Sequence, residues 1–178
     1  MGIVESTYAE LKQQELKNNS YSCLHMADID INPHQVEAFT FALSSLELGG
    51  AILADEVGLG KTIEAGLVIK YLLCSGKDKI LLIMPSNLRK QWQVELEEKF
   101  DIDSLIVDSS NWDDYLAKVK SKQAVIIVSY HFASKRKAEF GKIAWDFCVF
   151  DEAHRLRNVY KNGSKMANAL YELTKTIP

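Results

Sequence analysis

The 178-residue chain is 47% hydrophobic and 25% charged, with a formal net charge of -3. That suits one well-cored globular domain and excludes a disordered chain, and the acidic balance means that any nucleic-acid contact needs a local basic surface. Met1 to Asn19 lacks the apolar core of a secretory signal, no stretch approaches the ~18 apolar residues of a membrane span, and Cys23, Cys74 and Cys148 are odd in number and widely spaced. These features point to buried thiols in a reducing cytoplasm.

From Val4 to Asn19 the pattern is polar, with Tyr8, Leu11 and Leu16 as apolar anchors, which suits a peripheral helix or a partly ordered arm. Residues 1–30 are thus expected to form an N-terminal helical extension. Asn32-Pro33-His34-Gln35 then opens a helix: Asn suits the N-cap, Pro suits the first turn, and Val36, Phe39, Leu43 and Leu46 recur at helical spacing. Gly49-Gly50 ends it. From Gly50 to Thr62 the order is an apolar run, a glycine-bearing turn and Lys-Thr opening a helical pattern, which reads as strand, phosphate loop, helix. Glycines let the loop turn its N–H groups inward so that they converge with a helix N-terminus on one polyphosphate. Lys61 then supplies a point charge to the β and γ phosphates, and the Thr62 hydroxyl reaches a phosphate-bound magnesium. Asp55 stands where the general pattern has its first glycine, and a carboxylate there must face away from the phosphates.

The helix from Thr62 to about Cys74 is apolar on most of its circumference and should be largely buried. Lys79 to Met84 reads as a second buried strand, giving a strand-helix-strand unit with a right-handed crossover and a parallel sheet. Leu88, Trp92 and Leu96 mark a helix to about Phe100, with Trp92 read as core rather than base-stacking, and Ser86 or Asn87 as its N-cap or a phosphate donor. A strand at Ser104 to Asp108 precedes an amphipathic helix on Trp112, Tyr115, Leu116 and Val119, with Lys118, Lys120 and Lys122 at its end. Ala124 to Tyr130 is a further buried strand. Lys135-Arg136-Lys137 is either a solvated helix surface or a DNA contact.

Phe147 to Phe150 is an apolar run suited to a strand buried on both faces, and it delivers Asp151 to the carboxyl edge of a parallel sheet, where open α/β sheets bind ligands. Asp151 is placed to hold magnesium through its water shell, and Glu152 to orient or deprotonate the attacking water. Arg155 to Lys165 reads as a loop whose Arg155, Arg157, Lys161 and Lys165 suit a duplex backbone or phosphate charge, followed by a helix on Met166, Ala169, Leu170 and Leu173.

Asp55-Glu56-Val57-Gly58-Leu59-Gly60-Lys61-Thr62-Ile63-Glu64-Ala65-Gly66 and Asp151-Glu152-Ala153-His154-Arg155-Leu156-Arg157-Asn158 resemble motifs I and II of superfamily-2 nucleic-acid translocases of the Swi/Snf class. The Asp at the first loop position is usual in that class. Val57 and the Ile63-Glu64-Ala65-Gly66 continuation look most like its bacterial, RNA-polymerase-associated branch. The resemblance spans residues 31–178 and implies the first lobe of a RecA-like P-loop NTPase: an α/β, three-layer fold with a mainly parallel sheet flanked by helices, truncated before a second lobe that carries the arginine finger.

The resemblance further implies ATP and magnesium as cofactors. Nucleotide binding falls to His34, Gln35, Glu56, Val57, Gly58, Leu59, Gly60, Lys61, Thr62 and Ile63, magnesium to Thr62 and Asp151, and catalysis to Lys61, Asp151 and Glu152. Gln35 either pairs with adenine, since an amide offers a donor and an acceptor, or caps its own helix. Nucleic-acid contacts fall to Pro85, Ser86 and Asn87 and to Ser129 and Tyr130, while His154 is similar to a residue that couples hydrolysis to the nucleic-acid side. The implied activity is ATP-driven movement on double-stranded DNA in a cytoplasmic protein, with the second lobe, RNA polymerase or a DNA-processing complex as partners and no membrane. A strand-separating or restriction-associated helicase carries the same motifs, and an ATP-switched protein-interaction module is the rival from another class. Without a second lobe, weak nucleotide binding and slow hydrolysis are expected.

Overall fold

A computed structural model describes residues 32–54, 60–119, 124–156 and 164–177. The extension at residues 1–30, Cys23, Lys120, Lys122, Arg157, Lys161 and the loop residues Asp55 to Leu59 lie outside them. The chain divides into two compact units, Met1–Gly76 with Lys99–Asp101, and Lys77–Glu98 with Ile102–Pro178.

In the first unit, α1 (Pro33–Ser45) starts at Asn32, whose extended backbone and following proline are what a helix start requires. Gln35 reaches back, its Oε1 accepting from the Asn32 N–H at 3.0 Å. The fully buried stripe is Gln35, Phe39, Ala42 and Ser45, with Val36, Leu43 and Leu46 only half-buried, so the inward face is rotated from the one expected. Phe39 meets Tyr71 of α2 (Lys61–Cys74) edge to face at 5.9 Å. α2 is buried at Glu64, Gly66, Leu67, Val68, Ile69 and Leu72, which matches its apolar circumference. Cys74, expected inside, is exposed at the last turn of α2.

The strand expected before the phosphate loop does not form. Ala51 to Ala54 has no regular structure, and Ile52 is 82% exposed. An apolar run becomes a strand only where a neighbour takes its N–H and C=O groups, and among the described residues no strand pairs with it.

The second unit is built on a parallel sheet of β1 (Lys79–Met84), β2 (Ser104–Ile106), β3 (Ala124–Ser129) and β4 (Phe147–Phe150), in the order β2-β3-β1-β4. The register aligns Lys79 to Met84 with Ala124 to Ser129, and Ile80 to Ile83 with Phe147 to Phe150. β1 and β3 sit centrally, and Ile80 to Met84 and Val125 to Val128 are buried on both faces, as a parallel sheet demands. β4 is the exception. All four of its residues are half-buried rather than buried, because among the described residues it is paired on one side only.

Helices α3 (Arg89–Phe100), α4 (Trp112–Val119), α5 (Tyr130–Lys135), α6 (Lys137–Phe140) and α7 (Lys165–Thr174) follow the strands. Leu81, Ile83, Ile126 and Val128 of the sheet join Trp112, Tyr115, Phe140, Trp145, Leu170 and Leu173 in one core cluster. Arg136, the middle residue of the basic cluster, stacks over the Trp112 ring at 5.0 Å and pairs with Glu139 at 3.2 Å, so its charge serves packing. Among the described residues no helix is long and apolar enough to cross a membrane.

Candidate nucleotide site

In the first unit, two helix starts, those of α1 and α2, carry the candidate nucleotide-binding residues. Gly60 occupies the left-handed region at φ 89°, and a Cβ there would come within 2.8 Å of Gln35 Nε2, so both backbone and space call for glycine. The first intrahelical bonds run to Gly60 O from Ile63 N at 2.7 Å and from Glu64 N at 3.2 Å, which makes Lys61 the first helical residue and puts Thr62 in the first turn. A helix N-terminus carries N–H groups that lack intrahelical acceptors, the general basis of anion binding. Lys61, Thr62 and Ile63 are half-buried, as is His34 in the first turn of α1.

Gln35 is 3% exposed and makes the capping contact weighed against its base-binding role. Its carbonyl oxygen is engaged with Asn32, and its amide nitrogen points toward the turn at Gly60. Glu56, Val57, Gly58 and Leu59 lie outside the described residues.

In the second unit, β4 carries Asp151 to the carboxyl edge of the sheet, where its N–H donates to Ile83 O at 3.0 Å. The Asp151 carboxylate is held at both oxygens: Oδ1 accepts from the Glu152 N–H at 2.8 Å, and Oδ2 accepts from the indole Nε1 of Trp92 at 2.9 Å. The Tyr130 hydroxyl donates to the Asp151 carbonyl at 2.7 Å. Burial, reinforced by the Asp151 charge, pushes the Tyr130 phenol well above its usual range and keeps it a donor. Glu152 sits at φ 56°, a left-handed backbone that side chains other than glycine rarely adopt, and its Oε2 lies 3.0 Å from Nδ1 of the exposed His154. Within the second unit Asp151 offers a single carboxylate, the kind of protein donor magnesium takes when phosphate and water complete its shell, and within the first unit Thr62 offers a hydroxyl.

The residues expected to meet nucleic acid divide. Ser86 and Asn87 are exposed just before α3, while Pro85 is buried. The Ser129 hydroxyl caps α5 by accepting from Phe132 N at 3.2 Å, and Tyr130 is 2% exposed with its hydroxyl engaged, so its side chain faces the interior instead of a duplex. The expectation that Trp92 is core holds, at 4% exposure. Its indole hydrogen bond to Asp151 had no signal in the sequence, since helical spacing marks a buried face but not where an N–H points.

A parallel α/β sheet with a carboxylate pair at its carboxyl edge, in a chain that also carries a glycine-started Lys-Thr helix, defines the first lobe of a RecA-like protein. The chain belongs to the SNF2-related domain family, which residues 34–177 match. It is similar to the RNA polymerase-associated protein RapA of Yersinia enterocolitica, at 33% identity over 153 residues that cover 82% of this chain and 16% of that protein. RapA of Serratia proteamaculans is 32% identical over 155 residues, with the same coverage of 82% and 16%. The fold is similar to that of the Sulfolobus solfataricus SWI2/SNF2 ATPase core in complex with dsDNA, with a TM-score of 0.69 at 24% identity over 82% of this chain and 30% of that one. The chain thus spans 16% of the length of these bacterial relatives.

Proposed function

We propose that this chain is the ATP-binding lobe of an ATPase that couples hydrolysis to movement on double-stranded DNA. The observation that carries it is the Asp151-Glu152 turn at the carboxyl edge of the sheet, with the carboxylate fixed at both oxygens and Glu152 held in a rare backbone conformation. Family membership supports the same assignment, as does the likeness to a SWI2/SNF2 ATPase core whose structure contains dsDNA. Under this proposal Lys61 neutralises the β and γ phosphates, and the N-terminus of α2 supplies N–H donors to them. Thr62 and Asp151 hold magnesium, which when bound lowers the charge on the phosphates and orients them. Glu152 accepts the proton of, or orients, the attacking water. Gln35 and His34 border the adenine, and Ser86, Asn87 and Ser129 meet the duplex backbone through hydroxyl, amide or main-chain donors.

A second function is favoured by the names of the relatives, which are RNA polymerase-associated: nucleotide as a latch for recruiting a protein. ATP turnover separates the two, measured without nucleic acid and with single-stranded DNA, double-stranded DNA or RNA at one salt concentration, beside Lys61→Ala. Stimulation specific to duplex DNA and lost on Lys61→Ala is expected, with a low absolute rate for the 178-residue chain by itself. Stimulation by RNA redirects the function to RNA remodelling, and indifference to every nucleic acid selects the latch.

A further inference from the structure

We propose that Trp92 and Tyr130 are positioning residues for the magnesium-binding carboxylate, clamping the Asp151-Glu152 turn from two elements outside the motif. This rests on the nucleotide function above and adds to it the groups that set the geometry of Asp151. Every polar atom of Asp151 has a partner: N to Ile83 O, O from Tyr130 Oη, Oδ1 from Glu152 N, and Oδ2 from Trp92 Nε1. Glu152 is adjacent in the chain, Ile83 is the neighbour across the sheet, and the two side-chain donors also come from afar in sequence, Trp92 by 59 residues and Tyr130 by 21. Both rings are buried, at 4% and 2% exposure, so neither can swing away without opening the core.

The chemistry of the two donors fits the task. An indole N–H donates and cannot accept, and it carries no charge. It therefore fixes the rotation of the carboxylate without neutralising it, whereas Lys or Arg in that place would compete with the cation for the same oxygens. The phenol acts the same way on the backbone, holding the carbonyl that precedes the left-handed Glu152. Trp145 supplies an internal comparison. It is equally buried, and its Nε1 donates to the Phe140 carbonyl at 2.9 Å, the ordinary way a core Trp satisfies its N–H. Trp92 instead directs its donor to a side-chain carboxylate at the ligand edge of the sheet. Ligating carboxylates are themselves usually hydrogen-bonded, and loss of such outer partners costs ~10–100-fold in metal affinity.

The test is ATP binding by the 178-residue chain, titrated with magnesium, for the wild type, Lys61→Ala, Trp92→Phe and Tyr130→Phe, with thermal melts and metal-free ATP binding in parallel. Trp92→Phe is expected to raise the magnesium concentration at half-saturation by about tenfold while metal-free binding stays unchanged. Tyr130→Phe, which removes one oxygen from a retained ring, is expected to move it in the same direction and guards against a Trp92 variant that fails to fold. A packing role alone would lower the melting temperature and leave the magnesium midpoint in place. If both variants keep the wild-type midpoint while Lys61→Ala loses ATP, the positioning role is overturned and the nucleotide function stands. If the wild type shows no magnesium-dependent ATP binding, both are overturned. A nitrogen-15 spectrum adds a spectroscopic signature: the indole signal absent in Trp92→Phe should move in Asp151→Asn, and an unmoved signal refutes the contact.

Discussion

The carboxylate of Asp146 accepts from the backbone N–H of Lys79 at 2.9 Å, joining the starts of β4 and β1 across 67 residues of chain. The same oxygen accepts from Asp78 N at 2.9 Å, and Asp146 N returns a bond to Lys79 O at 2.8 Å. This clamp sets the register in which Ile83 meets Phe150, and hence the height at which Asp151 leaves the sheet. Asp146→Ala should therefore lower the unfolding free energy by about 1.5–3 kcal/mol, the range for hydrogen bonds to a charged group. Asp146→Asn, which keeps an acceptor oxygen, should recover part of the loss. Urea midpoints read the difference, and an unchanged midpoint for the alanine variant would show that the clamp contributes nothing.

Gly66 is buried on α2 where any Cβ would overlap the ring of Phe100. Alanine is the better helix former by about 1 kcal/mol, but overpacking a filled site costs about 1–3 kcal/mol. The second effect should win, so Gly66→Ala destabilises despite its helix propensity. In Phe100→Leu the penalty of Gly66→Ala should shrink, because the ring that the methyl meets is gone. A double-mutant cycle with no coupling energy would place the cost elsewhere.

How much of this was legible in the sequence depends on what kind of signal each part leaves. The parallel sheet was, because Lys79 to Met84 and Ala124 to Ser129 are unbroken apolar runs and the strands that carry them are central. Two apolar runs differ from that pattern: β4 is equally apolar yet half-buried, and Ala51 to Ala54 is apolar yet pairs with no strand among the described residues. Pattern records what a segment can bury, while pairing depends on which strands lie beside it. The Gly60 turn and the Asp151-Glu152 pair were legible because a backbone requirement or a charge after an apolar run is local. Gln35 offered both of its uses in sequence, and the cap is visible only in the fold. Trp92 to Asp151 and Tyr130 to Asp151 join residues far apart in sequence, and no local pattern encodes such a meeting.

Alkaline pH should destabilise the fold through groups held protonated by burial. Burial pushes the Tyr115 phenol, the Tyr130 phenol and the Cys148 thiol upward, and Tyr115 Oη finds no hydrogen-bond partner among the described residues. Cys148 keeps some residue exposure on β4, but its side chain packs against the core cluster. A raised folded pKa leaves the stabilisation intact below the unfolded value and removes it as pH climbs toward the folded one. The loss should therefore begin near pH ~8.5 for the thiol and ~10 for the phenols, the unfolded values. Melting temperatures should be flat below that window and fall through it, and Tyr115→Phe should flatten the fall while costing little at neutral pH. A profile unchanged by Tyr115→Phe would exclude that phenol as a contributor.

Glu152 supplies the last prediction, because its φ of 56° separates its backbone from its side chain. A left-handed residue other than glycine costs about 1–2 kcal/mol, and glycine escapes that penalty. Glu152→Gly and Glu152→Ala both delete the carboxylate and its contact with His154, an exposed pair of the kind that contributes only ~0–1 kcal/mol. They differ in the backbone alone, so the glycine variant should be more stable than the alanine variant by about 1 kcal/mol, the reverse of their usual order. Equal stability would mean that the turn relaxes once the carboxylate is gone, and the strain would then belong to the side chain. Under the proposed function both variants should bind ATP and fail to turn it over, since the group that handles the attacking water is missing in each. Retained turnover in either would remove Glu152 from the chemistry and leave its unusual backbone to serve the shape of the turn.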